Sequence, residues 1–178
     1  MKIAIQGLGE IPTTVKLLLE KEKPDISHII CSDYHLKYVA SRRANYREPN
    51  KRVIEAAAKK VKSKVVFHKC NAFSPKSVAK VIREILREID PDKDKVIINY
   101  TGGTAVVRLF LGATAVVLSA LMKTKIVYAI EYPKGIKITT DHTKALRENF
   151  PTDLGILLEL KKKSSSRLKT RESKGPKP

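Results

Sequence analysis

Asn99-Tyr100-Thr101-Gly102-Gly103-Thr104 is the stretch whose residue types and spacing best suit chemistry. It follows the apolar run Lys95-Val96-Ile97-Ile98 and opens a long apolar segment from Ala105 to Met122. A strand, a hydroxyl- and glycine-rich turn and a helix in succession gather unsatisfied backbone N–H groups at a helix N-terminus. Such a terminus carries partial positive charge and favours a phosphate or a carboxylate. Gly102 and Gly103 lack a Cβ, which lets a ligand approach the backbone. The same residues also read as a tight strand-to-helix turn with Thr104 as N-cap. A second turn of this kind, Gly7-Leu8-Gly9-Glu10-Ile11, follows the apolar strand Lys2–Gln6 and enters a helix with Pro12 at its first position.

The elements that must position these turns alternate between strand-like and helix-like. The first helix runs to about Lys23 and stops at Pro24-Asp25, and Ile26–Cys31 and Lys64–Cys70 are the next strands. Ser74-Pro75 is an N-cap and first-position pair. Val78, Val81, Ile82, Ile85, Leu86 and Ile89 then repeat at helical spacing. Lys95–Asn99 is the fourth strand and Lys125–Tyr132 the fifth. Pro133-Lys134-Gly135 turns into an antiparallel sixth, Ile136–Thr140. This alternation predicts an α/β fold, a Rossmann-like, doubly wound, mainly parallel sheet with helices on both faces. With strand order 3-2-1-4-5 plus an antiparallel hairpin strand, strands one and four are neighbours at the switch point. Ligands then bind beyond their carboxyl ends, where both turns lie.

Composition limits the partners. The chain has 178 residues, a formal net charge of +18 and a pI near 10.0, which points to polyanions, nucleic acid and nucleotides first. Solvated surface charge accounts equally for a share of it. Residues 1–160 read as one domain. Residues 161–178 carry eight cations against Glu172 alone and read as a disordered basic tail, either a non-specific arm for nucleic acid or simply solvated. Cys31 and Cys70 lack any zinc-ligand spacing and read as free thiols of a reducing cytoplasm. His28, Cys31 and Asp33 point to different faces of a strand, so neither a metal nor a cofactor is expected. The run Ala105–Met122 nearly reaches membrane-spanning length but contains Arg108, Thr114 and Ser119 between two strands. It is expected to be a buried central helix, with no membrane partner.

Tyr34 to Lys62 interleaves Tyr34, Tyr38 and Tyr46 with Arg42, Arg43, Arg47, Lys51 and Arg52. These tyrosines can stack bases while the guanidinium groups meet phosphates. They can equally pack a helix with an apolar face of Val53, Ile54, Ala57 and Val61 onto the sheet.

Gly7-x-Gly9-x-x-Pro12 half-matches the dinucleotide fingerprint, with Asp33 near the place of a ribose-binding acid. Pro12 replaces the third glycine, and an NAD-type site leaves the second turn without a role. Taken together, Gly7-Leu8-Gly9-Glu10-Ile11-Pro12-Thr13, Lys23-Pro24-Asp25 and Asn99-Tyr100-Thr101-Gly102-Gly103-Thr104 make residues 1–140 resemble the CRISPR-associated Rossmann fold (CARF) domains, which bind cyclic oligoadenylates.

That resemblance implies a cytoplasmic two-fold homodimer with the ring, tetra-adenylate favoured, in the groove between subunits. The implied ligand-binding residues are Gly7, Leu8, Gly9, Pro12, Thr13, Thr14, Tyr100, Thr101, Gly102, Gly103 and Thr104. Small stand-alone relatives are ring nucleases, which implies metal-free attack of a ribose 2′-hydroxyl on its phosphate, with Thr13 and Arg108 as catalytic residues. Two positions depart from the family. Ala105 stands where a Lys or Arg is common, and Glu10 stands where a Ser or Thr is common. The alternatives are a cyclic oligoadenylate sensor or sink without activity, and an RNA- or DNA-binding protein using Arg42, Arg43, Arg47 and the tail.

Overall fold

The computed structural model describes residues 1–41, 45–131 and 137–144. Six strands form one sheet: β1 (Lys2–Gly7), β2 (Ile26–Cys31), β3 (Lys64–Lys69), β4 (Lys95–Asn99), β5 (Thr124–Glu131) and β6 (Lys137–Asp141). Their order is β3-β2-β1-β4-β5-β6, parallel except for β6, which runs antiparallel to β5. This is the expected order, and it makes β1 and β4 direct neighbours, with Gln6 opposite Asn99.

Helices α1 (Thr13–Glu22), α2 (Asp33–Lys37), α3 (Asn50–Lys60), α4 (Pro75–Arg87) and α5 (Ala105–Leu121) connect the strands. Local chemistry sets their ends. Ser74 Oγ accepts from the Ser77 N–H, and Pro75 occupies the first turn of α4. Lys23 takes a left-handed conformation (φ 46°), and its N–H closes α1 on the Leu19 carbonyl before Pro24. Pro12 serves as the N-cap of α1, one residue earlier than expected, with no side-chain bond to the first turn.

The strands alternate their side chains between two apolar layers. Ile5, Ile30, Ile98 and Ile126 pack with Val78, Val81, Ile82 and Ile85 of α4 and Val107 and Leu111 of α5. On the other face Ile29 and Cys31 pack with Val15 and Leu19 of α1 and Ile54 of α3. Burying each of these aliphatic side chains contributes about 1.5–3 kcal/mol.

The expectation of a buried central helix needs correction. Only Val107, Leu111 and Ala115 of α5 are buried, while Leu109, Val117 and Leu121 are 70%, 57% and 64% exposed. The helix covers the sheet with one stripe and leaves an apolar face uncovered. No helix among the described residues is long and apolar enough to cross a membrane.

Candidate functional site

The turn after β1 and the turn after β4 touch through their backbones. A Cβ at Gly7 would strike the Gly102 carbonyl and lie 2.7 Å from Val107 Cγ1. One at Gly102 would strike the Gly7 carbonyl and lie 2.9 Å from Thr14 Oγ1. These two glycines therefore serve loop-against-loop packing before any ligand is considered. Gly103 has φ +95°, a conformation that side chains rarely adopt, and it faces Gly9 across the gap. The amides of Gly9 and Gly103 have no hydrogen-bond partner among the described residues, and both glycines are half-buried.

A buried polar brace holds the two turns together. Asn99 Nδ2 donates to Gln6 Oε1 and to the Thr14 carbonyl, both at 3.2 Å, and Asn99 Oδ1 accepts from the Thr101 N–H at 3.1 Å. Gln6 Nε2 donates in turn to Ser27 Oγ at 2.9 Å. Asn99 and Gln6 are both fully buried, and each polar group found its partner on a neighbouring strand, on the second turn or at the start of α1. Sequence reading passed over Gln6. Its signal was a carboxamide closing an otherwise apolar strand.

The hydroxyls divide between structure and surface. Thr104 Oγ1 accepts from the Val107 N–H at 3.3 Å, capping α5, and donates to the Ala72 carbonyl. Thr101 Oγ1 accepts from the Ala129 N–H at 2.8 Å, tying the second turn to β5. Thr13 is 1% exposed with its hydroxyl 3.2 Å from Tyr46 Oη, so here it is a strut and not a surface donor. Leu8 is buried and its N–H donates to the Ile30 carbonyl, which removes it from the set of free donors. Pro12 is buried; Thr14 is half-buried.

A cavity of about 360 Å³ opens beside the second turn, lined by Tyr100, Thr101, Ala105, Arg108, Leu109 and Tyr128. Arg108, one helical turn beyond the capping Thr104, is exposed and shares this cavity with Ala105. Among the lining residues, Arg108 is the cation that borders this space. Tyr100 Oη lies 2.7 Å from His142 Nδ1, and Tyr128 stacks on His142 with ring centroids 5.6 Å apart. Burial pushes the Tyr100 phenol up from its ordinary pKa, with Tyr128 adding to it. His142, just past β6, had no sequence signal because only the β5–β6 pairing brings it here.

Asn50 joins the basic region to the first turn. Its Nδ2 donates to the Glu10 carbonyl at 3.0 Å and to the His35 carbonyl at 2.9 Å, and the residue is fully buried. The charge of Glu10 acts on His35. Of the tyrosines weighed as base platforms, Tyr46 packs on Thr13, Tyr38 is half-buried and Tyr34 is exposed. Arg47 is exposed; Arg42, Arg43 and the tail from 161 to 178 lie outside the described residues. Asp33 opens α2, just beyond the end of β2. Hydrogen bonds from Lys37 and Lys69 lower its pKa to about 2, so it is engaged by lysines at the position considered for a ribose.

Neither protein-family models nor curated sequences gave a match to this chain. Solved structures did. Can2 from Sulfobacillus thermosulfidooxidans, in complex with cyclic tetra-adenylate, superposes with a TM-score of 0.53 at 14% identity, covering 78% of this chain and 36% of Can2. Enterococcus italicus Csm6, bound to cyclic hexa-2′-fluoro-hexa-dAMP, gives 0.56 at 11% identity, covering 77% and 36%. Protein VC1899 from Vibrio cholerae gives 0.52 at 13%, covering 78% and 35%. The chain thus spans about a third of each of these proteins. At the level of fold, this chain shares the Rossmann-like α/β architecture of the matched part of these proteins, two of which are solved with a cyclic oligonucleotide bound.

Proposed function

We propose that this protein binds a cyclic oligoadenylate across the two-fold axis of a homodimer and cleaves it as a metal-independent ring nuclease. The observation that carries this proposal is the backbone contact of Gly7 with Gly102, which brings two amide-bearing turns to one place at the carboxyl ends of β1 and β4. Free amides of Gly9 and Gly103 face a phosphodiester well, and the uncapped start of α1 adds partial positive charge. Tetra-adenylate is the favoured ring, because a four-fold ligand presents the same face to both subunits.

Cleavage needs little from the protein beyond placement. The ribose 2′-oxygen attacks its own 3′-phosphorus, the P–O5′ bond breaks, and a 2′,3′-cyclic phosphate and a 5′-hydroxyl form. The proton lost by the 2′-hydroxyl is balanced by the one gained at the 5′-oxygen. Arg108 is assigned to the charge that develops on the phosphoryl oxygens. Thr13, buried against Tyr46, is assigned to holding the start of α1 and not to the reacting atoms.

Incubation of the pure protein with cyclic tri-, tetra- and hexa-adenylate in EDTA, with binding and products both followed, tests the proposal. The expected result is retention of the tetra-adenylate ring and linear product with cyclic phosphate ends. Arg108→Ala should retain the ring while slowing cleavage by about a hundredfold or more, the usual effect of removing one transition-state contact. Retention without product leaves a sensor or sink. No retention of any ring ends the proposal.

A further inference from the structure

A larger cavity lies away from these turns. It is a groove of about 640 Å³ over the edge strand β3, floored by Leu36, Val65 and Phe67. Lys37, Lys51, Arg52 and Lys69 stand around it against a single lining carboxylate, Asp33. Asp33 is already shared, with Lys37 Nζ at 2.7 Å and Lys69 Nζ at 2.8 Å. Lys51 lies 3.6 Å from Glu55, and Arg52 forms no ion pair among the described residues. The groove therefore keeps a surplus of positive charge over an apolar floor.

Its second property is main-chain polarity. β3 ends the sheet, with β2 on one side and no strand on the other among the described residues. An edge strand presents unpaired N–H and C=O groups in a row, the template for adding one more strand. Val65, Phe67 and Lys69 point to the groove face, while Val66 and His68 point to the face of α4. Glu84 and Glu88 act electrostatically on His68 there. An added strand would thus meet cations with every second side chain and the face of Val66 and His68 with the others.

We propose that this groove is a docking site for an extended acidic peptide segment of a partner protein, added as a strand to β3 with its carboxylates toward Lys37, Arg52 and Lys69. Charge complementarity selects this occupant. A second copy of the chain would bring the same cations against themselves, and the basic tail is repelled for the same reason. A polynucleotide would meet the cations but leave the strand's open backbone groups without partners. The alternation of faces specifies the register: acidic toward the groove, apolar toward α4.

The test uses the full chain and a labelled short peptide of alternating glutamate and valine. A second peptide of the same sequence carries N-methyl groups on alternate amides, and an oligoadenylate serves as competitor. Saturable binding is expected, weakened about tenfold or more both by N-methylation and by Arg52→Glu with Lys69→Glu, two exposed positions. Circular dichroism verifies that the double variant remains folded. Equal binding of both peptides would reduce the site to an ion exchanger and overturn the proposal. So would absence of saturable peptide binding, or preferential capture of the oligoadenylate by these same cations. Cyclic-adenylate retention by the double variant should be unchanged, which separates this site from the one between the two turns.

Discussion

Glycine does three different things in this chain. At Gly7 and Gly102 it permits two backbones to touch; at Gly103 it permits φ +95°. Gly112, in the middle of α5, has open space where a Cβ would stand. These environments predict opposite outcomes for one substitution. Gly102→Ala forces the Gly7 carbonyl or Thr14 aside and should cost about 1–3 kcal/mol, as overpacking of a closed site does. Gly112→Ala relieves a helix-interior glycine and should be neutral or stabilising by up to about 1 kcal/mol. Urea unfolding of the two variants checks both, and equal stability would show that the turns are not packed as described.

Among the elements, β2 and β3 carry a pair that makes stability depend on pH. His28 Nδ1 lies 2.9 Å from His68 Nε2 on the face toward α4. Burial lowers both imidazole pKa values; His28 is lowered further by His68, and Glu88 partly offsets the shift of each. Below the ordinary histidine value the unfolded chain binds protons that the folded chain refuses. Stability is therefore complete above about pH 6.5 and falls as pH drops through the unfolded-state value. The urea midpoint should decline from pH 7.5 to pH 5.5, and His68→Asn should flatten that decline. A midpoint that rises on acidification would reverse the assignment.

At the scale of the whole molecule, α5 joins the candidate site to an uncovered apolar surface. Leu109 lines the cavity beside Arg108, and Val117 and Leu121 continue the exposed face toward the helix end. A contiguous apolar face of this kind marks an association surface. If two copies meet there, the cavities at Tyr100 and Arg108 come together about the same axis. The native protein should sediment at twice the 19.9 kDa chain mass, and Leu109→Glu should give a monomer that no longer retains the ring. A dimer unaffected by Leu109→Glu would move the interface elsewhere.

Much of this molecule was legible before its coordinates because the information was local. Strand, glycine turn and capped helix follow one another within a few residues at Asn99–Thr104, and Ser74-Pro75 starts α4 by the same short-range chemistry. The sheet also has the strand order assumed from the usual Rossmann arrangement, since parallel crossovers leave few alternatives. What the residues did not disclose were contacts between distant positions. Asn99 meets Gln6 across 93 residues, His142 meets Tyr100 across 42, and Tyr46 buries the hydroxyl of Thr13 across 33. The exposure of one α5 face was hidden similarly, because that helix carries apolar residues on every side and only the sheet decides which stripe it covers. Local propensity chose the elements; packing chose which of their polar groups are spent on the fold and which remain open to a ligand.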